Sequence, residues 1–176
     1  MCFVCRTNIL CIYYIVIILH TMCIYYIGIA HMDISMENIM LKNVGLNQLP
    51  KVKIIDFGLA HNRNKLHTWM SNRAKIGKLT YMSPEVYYAD KFKYNYWYDT
   101  RKADVWCLGV MLFVMLTGSP LYDTAPDHLH CKLCYDPSYD AIDKILKHWN
   151  RERLVPDTAK DLLRKILTPE YKRYII

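Results

Sequence analysis

Two short stretches hold the side chains best able to do chemistry: His31-Met32-Asp33-Ile34-Ser35-Met36-Glu37-Asn38 and Asp56-Phe57-Gly58. Carboxylate and amide oxygens are hard ligands suited to a hard divalent cation such as Mg²⁺, and Asp33, Asn38 and Asp56 supply three of them. A carboxylate within hydrogen-bond reach of a hydroxyl can also take its proton. An aspartate in a loop is more often a turn former, so neither stretch is specific alone. Their order along the chain, and the elements around them, carry the weight.

Residues 31–41 mix polar and apolar side chains without a period and read as a structured loop. Val52–Ile55 is a short β-branched run after Pro50, the pattern of a strand, and Asp56-Phe57-Gly58 ends it. Residues 61–78 are polar and basic, as a surface loop would be. Ser83-Pro84-Glu85 looks like a helix start, with Ser83 as N-cap and Pro84 at the first helical position. Residues 103–116 are apolar nearly all round and too short for a bilayer, so a buried central helix is expected, ended by Gly118 and Pro120. Residues 140–149 and 158–167 carry apolar side chains at helical spacing, with Asp157 or Thr158 available to cap the last helix.

The 176 residues fit one domain with a real core, and 53% hydrophobic content excludes a disordered chain. The formal charge of +7 favours anionic partners without choosing among them; a solvated basic face is the expectation, not a nucleic-acid site. Seven cysteines include two CxxC pairs, Cys2/Cys5 and Cys131/Cys134. Zinc needs four ligands at one point, and these pairs stand at opposite ends of the chain. A reduced, cytoplasmic protein is therefore expected.

No charged residue lies between Arg6 and Asp33. The apolar run 9–30, interrupted by His20 and Thr21, is long enough to span a membrane. A buried helix explains it equally, as does a mis-assigned start of the coding sequence. The buried helix is preferred, because the first motif begins at His31 with no linker. Residues 1–27 are thus set apart as a hydrophobic segment, with membrane attachment the alternative localisation.

The stretch His31 to Asn38 resembles the catalytic loop of eukaryotic-type protein kinases, H-R-D-L-x-x-x-N. Val52 to Ala60, VKIIDFGLA, resembles the strand and D-F-G motif that follow it. Gly77 to Glu85, GKLTYMSPE, resembles the close of an activation segment, and YDTRKADVWCLGVMLFVMLTGSPLY the central helix. The resemblance covers about residues 28–176 and implies a mainly α, kinase-like C-terminal lobe with a small β element, truncated so that the N-terminal lobe is missing. It implies ATP and Mg²⁺ as cofactors and a protein Ser/Thr hydroxyl as acceptor. Asp33 would be the base, with Asn38 and Asp56 on the metal. Support would come from His31, from Asp104 accepting catalytic-loop N–H groups, and from an ion pair between Glu85 and Arg173, for which Lys172 is a rival. A non-catalytic, kinase-like interaction module is the alternative.

The chain departs from the family pattern at three positions. Met32 replaces the arginine that grips an activation-loop phosphate, although Thr68 and Ser71 are available for phosphorylation. Ser35 stands where a phosphate-contacting lysine is usual, and a hydroxyl cannot replace a cation there. Lys78 replaces a threonine that meets the catalytic aspartate and is expected to pair with Asp33. No Gly-rich phosphate loop, V-A-I-K lysine or helix-C glutamate precedes His31.

Overall fold

The computed structural model describes residues 3–42, 51–62, 69–71, 76–89, 97–123, 133 and 140–169; side chains are described from Ile12 onward and, within these spans, not at residues 69–71 and 97. Helix α1 (Phe3–Tyr26) leads into strand β1 (Ile29–Ala30) and the loop bearing Asp33. A 3-10 turn, Met36–Asn38, closes that loop. Strands β2 (Ile39–Lys42) and β3 (Lys51–Ile54) follow, then β4 (His61–Asn62) and β5 (Trp69–Ser71). Next come α2 (Pro84–Tyr87), β6 (Trp97–Asp99), α3 (Thr100–Thr117), α4 (Ala141–His148) and α5 (Asp157–Ile166).

The strands form antiparallel ribbons rather than one sheet: β1 with β4, β2 with β3, and β5 with β6. In the β2–β3 ribbon Ile39 faces Ile54 and Lys42 faces Lys51. The second half of the catalytic-loop region is therefore a strand, where a loop was expected. Its residues Ile39-Met40-Leu41-Lys42 show no alternation, because Met40 and Leu41 are both exposed; the pairing with β3, not the pattern, makes it extended.

Helix α3 is the centre of the core. Every side chain from Ala103 to Phe113 is buried, as its all-round apolarity requires. Asp99 caps its start by accepting the Arg101 N–H at 2.9 Å, and Gly118 ends it at φ 66°. Gly109 is the point of closest approach to the end of the chain. A Cβ there would lie 2.5 Å from Ile166 Cγ2, so α5 packs almost on the α3 backbone. Arg164 of α5 also grips Asp143 of α4 at 2.5 Å.

Helix α1 runs antiparallel to α3: Tyr14 Oη donates to the Leu108 carbonyl at 3.2 Å and Tyr25 Oη to the Arg101 carbonyl at 3.0 Å. Tyr14, Ile17 and Thr21 form the buried face, while Ile12, Ile15, Leu19 and Met22 are exposed on the other. Among the described residues no helix is long and apolar enough to cross a membrane. Helix α2 starts as expected, with Ser83 at the N-cap and Pro84 just inside, though Ser83 makes no side-chain cap bond. Helix α5 differs: its N-cap is Pro156, with Asp157 already helical. The cysteines of the two CxxC pairs lie outside the described side chains.

Candidate active site

The loop after β1 takes its shape from one buried carboxylate. Asp104, fully buried in α3, accepts the His31 N–H at 2.6 Å on Oδ2 and the Met32 N–H at 2.8 Å on Oδ1. Burial pushes its pKa up to about 7, against the pull of those two N–H groups and of Tyr25. The bend it secures includes Met32 at φ 65°, a left-handed conformation uncommon for a side chain of this size.

His31 ties the two motifs together. Its ring is buried; Nδ1 accepts the Asp33 N–H at 3.3 Å, and Nε2 lies 3.0 Å from the Ile55 carbonyl. A carbonyl can only accept, so Nε2 carries the proton and the ring is neutral. Burial, the largest influence, lowers its pKa in keeping with that state. Phe57 stacks obliquely on the ring at 4.6 Å. The residue ahead of Asp56 and the backbone of Asp33 thus hang from one imidazole, whose titration feels both carboxylates.

Asn38 completes the cluster. Its Nδ2 donates to the Asp33 carbonyl at 2.7 Å and to Asp33 Oδ2 at 2.9 Å. With the nitrogen so committed, Oδ1 is the atom left for a cation, which matches a hard-metal ligand. The Asn38 carbonyl also accepts the Ile55 N–H at 2.9 Å, so the loop and β3 are stitched directly. Asp56 sits at φ 62°, its exposed carboxylate accepting the Gly58 N–H at 3.3 Å. Amide and carboxylate oxygens are the donor types that a hard divalent cation takes.

The segment ending in GKLTYMSPE lies directly on this loop. Gly77 has φ 92°, and a Cβ on it would come within 2.8 Å of the Met32 carbonyl oxygen. Only glycine fits on both counts. Lys78, expected against Asp33, instead donates to Ser35 Oγ at 2.7 Å and reaches Glu37 Oε2 at 3.4 Å. Further along, the Met82 carbonyl accepts from Tyr122 Oη, which itself accepts from Trp106 Nε1. Cys107 Sγ donates to the Tyr81 carbonyl. The central helix thereby holds the activation segment as well as the catalytic loop.

Met32 is buried in an apolar cluster with Met82, Val86, Tyr98 and Ala103, with Ile76 packed against it. Glu85 is buried at 4% exposure, while Arg173, Lys172 and Thr68 fall outside the described residues. Beside Glu37 opens a groove of about 310 Å³, walled by Thr80, Tyr81, Val110, Val114 and Pro120 among others. Sequence reasoning singled out Asp33, Asn38, Asp56, His31 and Asp104 but neither Glu37 nor Gly77; the signal for Gly77 was a glycine directly before the anomalous Lys78.

The family profile described as the protein kinase domain matches residues 6–174. That match runs back through most of α1, further than the motifs reach, and lends no support to the expected absence of a preceding lobe. The serine/threonine-protein kinase CHK1 of Saccharomyces cerevisiae is 32% identical over 160 residues, covering 86% of this chain and 25% of that protein. KIN4 of the same yeast is 30% identical over 156 residues, covering 86% of this chain and 17% of its own length. A mouse sperm motility kinase, the Tcr mutant form, is 40% identical over 100 residues, covering 56% of this chain and 17% of that protein. The chain spans a quarter or less of these relatives. With the loop, the D-F-G strand and the central helix arranged as described, the chain belongs to the eukaryotic-type protein kinase family.

Proposed function

We propose that this lobe transfers the γ-phosphoryl group of ATP to a serine or threonine hydroxyl of a protein. The observation that carries the reading is the pair of hydrogen bonds that Asn38 Nδ2 donates to Asp33, one to its carbonyl and one to its carboxylate, which holds the base and a metal-ligand candidate side by side. The hydroxyl oxygen of the substrate attacks the γ-phosphorus while its proton passes to Asp33, and from there to solvent. The bond from the γ-phosphorus to the β,γ-bridging oxygen breaks, its electron pair leaving with ADP. A divalent ion, when bound, neutralises phosphate oxygens; Asn38 Oδ1 and Asp56 are the atoms that would hold it. The groove beside Glu37 and Thr80 suits an extended segment of a protein substrate.

With Ser35 in place of the usual phosphate-contacting lysine, a slow rate of phosphoryl transfer is expected. A non-catalytic interaction module is the second reading, favoured by the lack of a cationic side chain at Ser35. Equilibrium binding of ATP with and without Mg²⁺ separates the two. Mg²⁺-dependent binding lost in Asp56→Ala supports the kinase, and binding of neither ATP nor Mg²⁺ leaves the module.

A further inference from the structure

Ser35 is buried, and its hydroxyl is held at 2.7 Å by the ammonium group of Lys78, 43 residues further along the chain. Two residues away stands Asp33, whose Oδ1 lies 3.5 Å from where a Cβ on Gly77 would be. The backbone just ahead of Lys78 therefore runs beside the base. Asp33 and Asp56 both act on His31 and Glu37 lies by Lys78, and an incoming polyphosphate is acidic too, so the chemistry needs a cation at this point. Resting on the kinase reading, we infer that Lys78 supplies from the activation segment the phosphate-contacting positive charge that Ser35 cannot.

A structural role alone does not account for this lysine. Its pair with Glu37 is long, 3.4 Å, with Lys78 half-buried at 36% and Glu37 exposed at 62%; such pairs contribute little. An ammonium has three donors. Ser35 Oγ takes one, Glu37 draws a second, and the third remains for an anion. Ser35 acts as the rest that steadies the ammonium, so hydroxyl and ammonium have exchanged places across the loop. Gly77 makes the exchange possible by letting the segment settle onto the Met32 carbonyl.

The experiment compares equilibrium binding of Mg·ATP and Mg·ADP to the wild-type chain, Lys78→Met, Lys78→Arg and the relocation variant Lys78→Ser with Ser35→Lys. Circular dichroism first verifies that each is folded. A contact to the terminal phosphate gives preference for ATP over ADP, reduced roughly tenfold in Lys78→Met with ADP affinity unchanged. Lys78→Arg and the relocation variant keep the preference. If Lys78→Met retains it, the inference fails while the kinase reading stands. If the wild type binds neither nucleotide at millimolar concentration, both fall. An unfolded Lys78→Met passes the decision to the relocation variant, whose loss of preference also overturns the inference.

Discussion

Asn38 binds Asp33 twice through a single nitrogen, at its main-chain carbonyl and at its carboxylate. The expected base and an expected metal ligand are therefore one mechanical unit. Neither can turn without the other.

Replacing Asp33 with alanine should lower phosphoryl transfer by roughly 10²–10⁴-fold, the usual contribution of a positioned base. Asn38→Asp should act differently, because it sets a second carboxylate against the first. Like charges at hydrogen-bond distance raise an apparent pKa, so the rate profile should move to higher pH. Rate measurements between pH 6 and 9 in a transfer assay check both outcomes.

Asp104 makes stability depend on pH. Its folded pKa of about 7 lies above the unfolded carboxylate value, so the folded chain binds that proton more tightly. Its contribution is fully present below about pH 4 and is lost as pH rises through about 7, a change of roughly 4 kcal/mol. Asp104→Asn should flatten that slope in urea denaturation between pH 5 and 8, while loosening the His31–Met32 bend at every pH. An unchanged slope would remove Asp104 as its source.

Gly77→Ala should cost on the order of 1–3 kcal/mol, since it combines a positive φ with a backbone collision. The loss should be larger than for Gly58→Ala, where the nearest atom is a side-chain oxygen at 3.2 Å. Thermal melts of the two variants give the comparison directly.

Gly109→Ala should destabilise by about 1–3 kcal/mol through overpacking against Ile166. Adding Ile166→Ala should recover part of that loss, because the two residues share one contact. Simple additivity in the double-mutant cycle would contradict the packing described.

The motifs were legible because each is contiguous: His31 to Asn38, Asp56 to Gly58, and the apolar helix around Asp104. The extents of α4 and α5 followed from periodicity, and that of α3 from a run apolar nearly all round, to within a few residues. Strand β2 was not legible, since Met40 and Leu41 are both exposed and only pairing with β3 extends them. The faces of α1 were hidden too, for a helix apolar on every side offers no contrast to read. Lys78 was noticed as anomalous, yet its bond to Ser35 spans 43 residues and depends on Gly77 at φ 92°. Nothing local to either residue encodes that distance.

The setting of Met32 has one more implication. An arginine clamp on a phosphate is a chemical latch, set by one enzyme and released by another. Met32, Met82, Val86 and Ile76 form a greasy seat instead. Apolar contacts weaken on cooling and under denaturant rather than by dephosphorylation. The apolar part of this segment's grip on its loop thus follows the solvent and the temperature around it.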